Sequence, residues 1–270
     1  MRSSANGGSL DDSGKDSVAI SASALRPRSA AESVDTAFVL LRRDYWVFVC
    51  VAGLMHLPIH STRLAMALAG SDFVPASLNP ELLWWNFWNS LAVSAVSVAA
   101  ARSYLRGGVT LGAALGSLRS RLWSVVAATV IVEALFEIGL LLVIVPGVLV
   151  LARLFATVPA LYAERIGVWP AMRRSVALTR GYFWRVLPAG LIILAIGLVD
   201  STLPSAVTKW TGSGAVTVIF DFMLDSAMYP LIGVAFTVLY YDLRILKEGY
   251  DIEVMMASFG SRESGVGSRE

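Results

Sequence analysis

The stretch that decides the fold is "VIVEALFEIGLLLVIVPGVLVLAR", Val130 to Arg153. It is apolar enough to lie in lipid, yet it carries Glu133, Glu137 and Arg153. From Leu122 to Val145 there are 15 Leu, Ile, Val and Phe residues, worth roughly −4.5 to −9 kcal/mol on insertion scales. Two ionised carboxylates at about +2.5–3.5 kcal/mol each would nearly cancel that. The segment can therefore insert, provided its carboxylates face protein, a partner or a wet cavity. Glu133 and Glu137 are four residues apart and share one helix face. Pro146-Gly147 is expected to turn the chain back, which brings Arg153 to the depth of Glu137 on the next helix. An intramembrane Glu137–Arg153 ion pair follows as the expectation.

The rest of the chain agrees with a lipid solvent. Of 270 residues, 56% are hydrophobic and 16% charged, against about 25% charged in a typical soluble domain. The mean hydropathy is +0.66. Six spans are predicted: Tyr45–Thr62, Leu82–Ala101, Leu122–Val145, a fourth reaching Ala163 with a bend at Pro159, Gly181–Val199, and Ala215–Tyr241. The single cysteine, Cys50, excludes a disulfide framework and reads as a small buried hydrophobe. Residues 1–32 and 254–270, rich in Ser, Gly, Ala and Asp, read as disordered cytoplasmic tails around a membrane domain at 33–253. The first tail lacks the apolar region of a cleaved signal peptide.

Basic residues set the orientation. One side collects Arg42, Arg43, Arg102, Arg106, Arg119, Arg121, Arg165, Arg173, Arg174, Arg180, Arg185, Arg244 and Lys247; the other collects Arg63 and Lys209. Positive residues are retained on the cytoplasmic side, so both termini are expected inside a bacterial inner membrane. The basic pI of about 8.8 then calls for anionic lipid headgroups as partners rather than nucleic acid.

A threefold device introduces the odd-numbered spans. "RRDYW" (Arg42–Trp46), "RSRLW" (Arg119–Trp123) and "RGYFW" (Arg180–Trp184) each place Arg four residues before Trp. Upstream lie short amphipathic segments: Val34, Phe38, Leu41; then Leu111, Leu115, Leu118, Leu122; then Trp169, Met172, Val176. The fold class expected is therefore all-α: three hairpins in a six-helix membrane bundle, each preceded by an interfacial helix with a Trp anchor. All copies enter from one side, unlike the inverted repeats of many transporters.

Other polar positions are fewer. Asp221 and Asp225 on span six either line a cavity with Glu133 and Glu137 or sit at a frayed outer end. His56 and His60 have the spacing of helical metal ligands, but Pro58 intervenes and only Asp72 and Glu81 offer partners, so they read as interfacial histidines. Ser90, Ser94, Ser97 and Ala101 form a small-residue packing stripe. No cofactor is implied.

At "PGVLVLARLFATVPALYAERIGVWPAMRRSVALTRGYFWRVL" and "VLYYDLRILKEGYD" the chain resembles the membrane domain associated with glycerophosphoryl diester phosphodiesterases, a bacterial polytopic family. The resemblance spans about residues 33–253. It implies a six-span helical domain and is carried by Pro146, Gly147, Arg153, Pro159, Glu164, Ser175, Asp242, Arg244, Glu248, Gly249 and Asp251. No His-Arg-Gly stretch occurs, so the family's name does not imply an activity here. At the cytoplasmic boundary Asp242 either bonds Arg173 or Arg174 or belongs to a solvated helix end, and Glu248-Gly249 closes the helix. The first functional expectation is a non-enzymatic membrane scaffold contacting lipid or a partner protein. The alternative is a small-solute or lipid transporter with a polar path through Glu133, Glu137, Arg153, Asp221 and Asp225.

Overall fold

The computed structural model describes residues 30–70, 80–142 and 144–249. The expected tails lie outside the described residues, apart from a short part of the first, as does Asp72. Among the described residues the protein is helical throughout: α1 Ala30–Leu68, α2 Pro80–Arg106, α3 Leu111–Ser120, α4 Leu122–Leu142, α5 Ile144–Leu154, α6 Thr157–Ala163, α7 Val168–Thr179, α8 Phe183–Thr211 and α9 Gly214–Glu248. Two compact units are distinguished, one over Ala30–Tyr240 and a second whose described part is 241–249. In the second, the closing turns of α9 carry an Arg244–Glu248 pair at 3.5 Å. Gly249 ends the helix at φ 61°, its N–H donating to the Ile245 carbonyl at 3.0 Å.

Among the described residues three segments are long and apolar enough to cross a membrane: Leu122–Leu142, Val145–Ala163 and Gly214–Glu248. The first has the highest hydropathy of the three, yet only 22% of its window is buried. Ile138, Leu141 and Leu142 are more than half exposed. An exposed apolar face of this length is costly in water and ordinary in lipid. In contrast, α2 is buried nearly all round from Leu91 to Ala101, which puts it at the centre of the core. Small residues allow that position: a Cβ on Gly233 of α9 would lie 2.9 Å from Val96 Cβ. Ser97 Oγ donates to the Gly233 carbonyl at 3.1 Å, and Thr237 Oγ1 donates to the Ser97 carbonyl at 3.1 Å. The serine stripe of α2 is thus a packing surface that also bonds between helices.

The three Arg-to-Trp motifs share one backbone device. Asp44 (φ −117°, ψ 25°), Arg121 (φ −131°, ψ 17°) and Tyr182 (φ −115°, ψ 28°) each interrupt the helical path two residues before the tryptophan. Each separates a short helical segment from a long one. Trp46, Trp123 and Trp184 are 75%, 83% and 79% exposed, and Arg42, Arg119 and Arg180 are exposed as well. Arg43 locks the first bend, donating to the Ser103 carbonyl at 2.8 Å, while Ser103 Oγ donates to Asp44. Arg121 locks the second by donating to the carbonyls of Arg165 and Ile166 at 3.1 and 3.2 Å.

The short helices each bury one face against the protein and leave another exposed. Phe38, Leu111, Trp169 and Val176 are exposed, whereas Ala37 and Leu40, Ala114 and Leu118, and Ala171, Met172 and Leu178 are buried. Large apolar side chains thus stand on both faces: Leu40, Leu118, Met172 and Leu178 pack inward, and Phe38, Leu111, Trp169 and Val176 face outward. That is the arrangement of a helix resting between a bundle and lipid, where both faces need an apolar neighbour.

Candidate functional site

The α4–α5 hairpin sets the site. A Cβ on Gly139 would lie 2.8 Å from the Gly147 backbone, whereas a continuous helix would hold those residues about 12 Å apart. The chain therefore reverses between Gly139 and Gly147, and Pro146-Gly147 falls in the first turn of α5. This corrects the expected turn at Pro146-Gly147. Register moves with it: extended from the 139–147 crossing, Arg153 comes level with Glu133, not Glu137. The expected Glu137–Arg153 ion pair is absent among the described residues. Glu137 instead accepts a 2.6 Å hydrogen bond from Asn86 Nδ2 of α2, and Glu133 accepts one from Ser90 Oγ.

Just beyond Arg153 the fourth apolar segment breaks. Helix α5 ends at Leu154 and α6 starts at Thr157, because Pro159 has no N–H to continue the ladder and its ring disfavours an unbroken helix. Ser175 of α7 takes over the freed backbone groups, donating to the Arg153 carbonyl at 2.7 Å and accepting from the Ala156 N–H at 3.2 Å. The sequence had offered no broken helix; the break is a correction, and it stands where Pro159 predicted only a bend.

Behind the hairpin lies a cavity of about 440 Å³, within the range of ligand sites. Asn86, Asn89, Ser90, Ser94 and Ser97 of α2, Thr129, Glu133 and Glu137 of α4, Thr157 of α6 and Tyr229 of α9 give its polar wall. Phe136, Leu140, Leu151, Leu154, Phe155 and Phe236 give much of the apolar wall. Among the described residues no cationic side chain lines it. Arg153 is not on the wall, although Leu151 and Leu154 on either side of it are.

A second polar cluster continues from the cavity. Asn89 Nδ2 donates to Tyr229 Oη at 3.0 Å, and Tyr229 Oη lies 3.4 Å from Asp200 Oδ2 of α8. Asp225 adjoins Asp200 and meets His60 Nε2 at 3.0 Å. One turn further along α9, Asp221 pairs with Arg63 at 2.8 Å. His56, His60, Asp221 and Asp225 are all buried within the protein. Asp221 and Asp225 are not at a frayed end; Tyr229, one turn beyond Asp225 on α9, touches the cavity. Glu81 has no described side chain. Cys50 is exposed, against the expectation of burial; it faces outward from α1.

The basic side has its own network within the larger unit. Arg174 Nε donates to both Glu164 carboxylate oxygens at 2.8 and 3.0 Å, and Tyr240 Oη donates to Glu164 at 2.9 Å. Arg173 lies over the Trp169 ring at 5.6 Å.

Sequence reading missed Asn86, Asn89, Thr157, Asp200, Tyr229 and the roles of His60 and Arg63. One signal was present: the serine stripe extends one turn back to Asn86 at the same helical spacing, so Asn86, Ser90, Ser94 and Ser97 share a face. No family model, curated protein or solved structure matches the chain.

Proposed function

We propose that the protein is a polytopic membrane transporter for a small solute. It comprises six spans in three hairpins, with the Arg–bend–Trp motifs and both termini on the cytoplasmic side of a bacterial inner membrane. The observation that carries this reading is the cavity of about 440 Å³ with Glu133 and Glu137 on its wall. Carboxylates kept at membrane depth are costly, and they mark solute or ion paths when they face a cavity. The continuation through Asn89, Tyr229, Asp200, Asp225, His60, Asp221 and Arg63 supplies a polar route beyond it. The α5–α6 break adds support, since irregular backbone at membrane depth is tolerated where protein or a cavity satisfies it.

The three repeated bends support the hairpin count, and the exposed tryptophans support interfacial anchoring with anionic lipid as partner. The resemblance to the phosphodiesterase-associated membrane domain fits this reading. Its residues Arg153, Glu164 and Ser175 all lie in or beside the contacts around the helix break. The scaffold reading keeps one observation in its favour, the outward face of α7, where Trp169 is 61% exposed.

Uptake into proteoliposomes separates the two. Wild-type protein is expected to take up one class from a panel of radiolabelled amines, amino acids, sugars and polyols with saturation. Val132→Trp, which fills the cavity wall, is expected to abolish uptake in folded protein. No saturable uptake by well-folded wild type across that panel would return the scaffold reading.

A further inference from the structure

We propose that the cavity binds a small organic cation, a protonated primary or secondary amine carrying an apolar body. The inference deepens the transport reading and rests on it for the site.

Charge sign comes first. Glu133 and Glu137 line the cavity, and among the described residues no Arg, Lys or His joins them there. The donors they have are neutral: Ser90 to Glu133 and Asn86 to Glu137. A carboxylate offers about four lone-pair sites, so one neutral donor each leaves acceptor capacity and negative charge uncompensated. One buried polar group on the wall is open as well: Thr157, 1% exposed, lines the cavity with a hydroxyl that has no hydrogen-bond partner. The wall therefore offers acceptors in excess, which a positively charged N–H donor satisfies and an anion does not.

The remainder of the wall fixes the ligand's other half. Phe155 and Phe236 lie 5.4 Å apart, centroid to centroid, and both line the cavity beside Phe136. Aromatic faces receive both an apolar body and a cation. Among the described residues no group of three or more His, Cys, Asp or Glu side chains is placed to hold a metal ion, so a bare divalent ion is not the ligand this wall fits.

The test uses the full-length protein in nanodiscs of neutral lipid, with empty nanodiscs as reference, and calorimetric titration of phenethylammonium, 2-phenylethanol and 3-phenylpropionate. The ammonium is expected to bind saturably, at least about tenfold more tightly than the alcohol, and the carboxylate not at all. Glu133→Gln and Glu137→Gln are each expected to weaken the ammonium about tenfold and to leave the alcohol unchanged. Equal affinity for ammonium and alcohol would overturn the proposal, as would full ammonium affinity in both folded glutamine variants, which would mean carboxylates neutralised by protons alone. Should the variants fail to fold, the wild-type preference between ammonium and alcohol decides. Ammonium binding without uptake of any solute contradicts transport and leaves this inference standing; saturable uptake of a neutral solute without ammonium binding does the reverse.

Discussion

Gly233 of α9 approaches Val93 of α2 so closely that a Cβ there would stand 2.8 Å from the Val93 carbonyl oxygen. Backbone cannot yield as a flexible side chain does, so Gly233→Ala is expected to cost about 1–3 kcal/mol. Gly197→Ala, with nothing within 4 Å of the added atom, is the control. Thermal unfolding in detergent should show a lower Tm for the first variant only. Equal melting of both would contradict the close crossing.

Ser175 holds the ends of the broken fourth segment through two hydrogen bonds. Ser175→Ala leaves a buried N–H and a carbonyl without that partner, which costs about 1–3 kcal/mol. Hydrogen exchange at Ala156 and Thr157 should accelerate beyond that in the rest of α6. Unchanged exchange there would show that Ser175 does not support the break.

Arg63 and Asp221 form a pair with little solvent access, 15% and 5% by side chain. Removing one partner of a buried pair costs about 3–5 kcal/mol, and removing both often costs far less. Arg63→Met is accordingly expected to be strongly destabilising, and Arg63→Met with Asp221→Asn to recover much of the loss. A double variant as unstable as the sum of its parts would dissolve the coupling.

Arg153 contributes its backbone to the Ser175 contact and its side chain to no ion pair described here. Arg153→Met should therefore change the unfolding free energy by less than about 1 kcal/mol, as surface-like changes do, with little shift in Tm. A collapse of folding would revive an intramembrane role for that guanidinium.

The helical class was readable from the apolar runs because lipid leaves a spanning chain few other options. The Arg-to-Trp offset led directly to three bends of nearly the same φ and ψ, a feature no composition argument supplies. Register was the weak link. Reading the turn at Pro146-Gly147, when those residues lie inside the first turn of α5, set Arg153 level with Glu137 rather than with Glu133, one helical turn away. That error hid Asn86 as the donor to Glu137. The pairs His60–Asp225 and Arg63–Asp221 join residues more than 150 positions apart, and spacing within one helix says nothing about such meetings. The buried side of α3 and α7 was not legible for a related reason: apolar side chains stand on both faces, so the sequence does not mark which one packs inward.

The central claim is that lipid surrounds this bundle, with the three bends at the inner leaflet. Single cysteines in place of Arg119, Arg173 and Lys209, in a Cys50→Ser background, test it with a membrane-impermeant maleimide on intact cells. Labelling at 209 in intact cells, and at 119 and 173 only after the membrane is opened, is the predicted result. Labelling at 119 or 173 from outside, or recovery of the protein in a detergent-free soluble fraction, would contradict it.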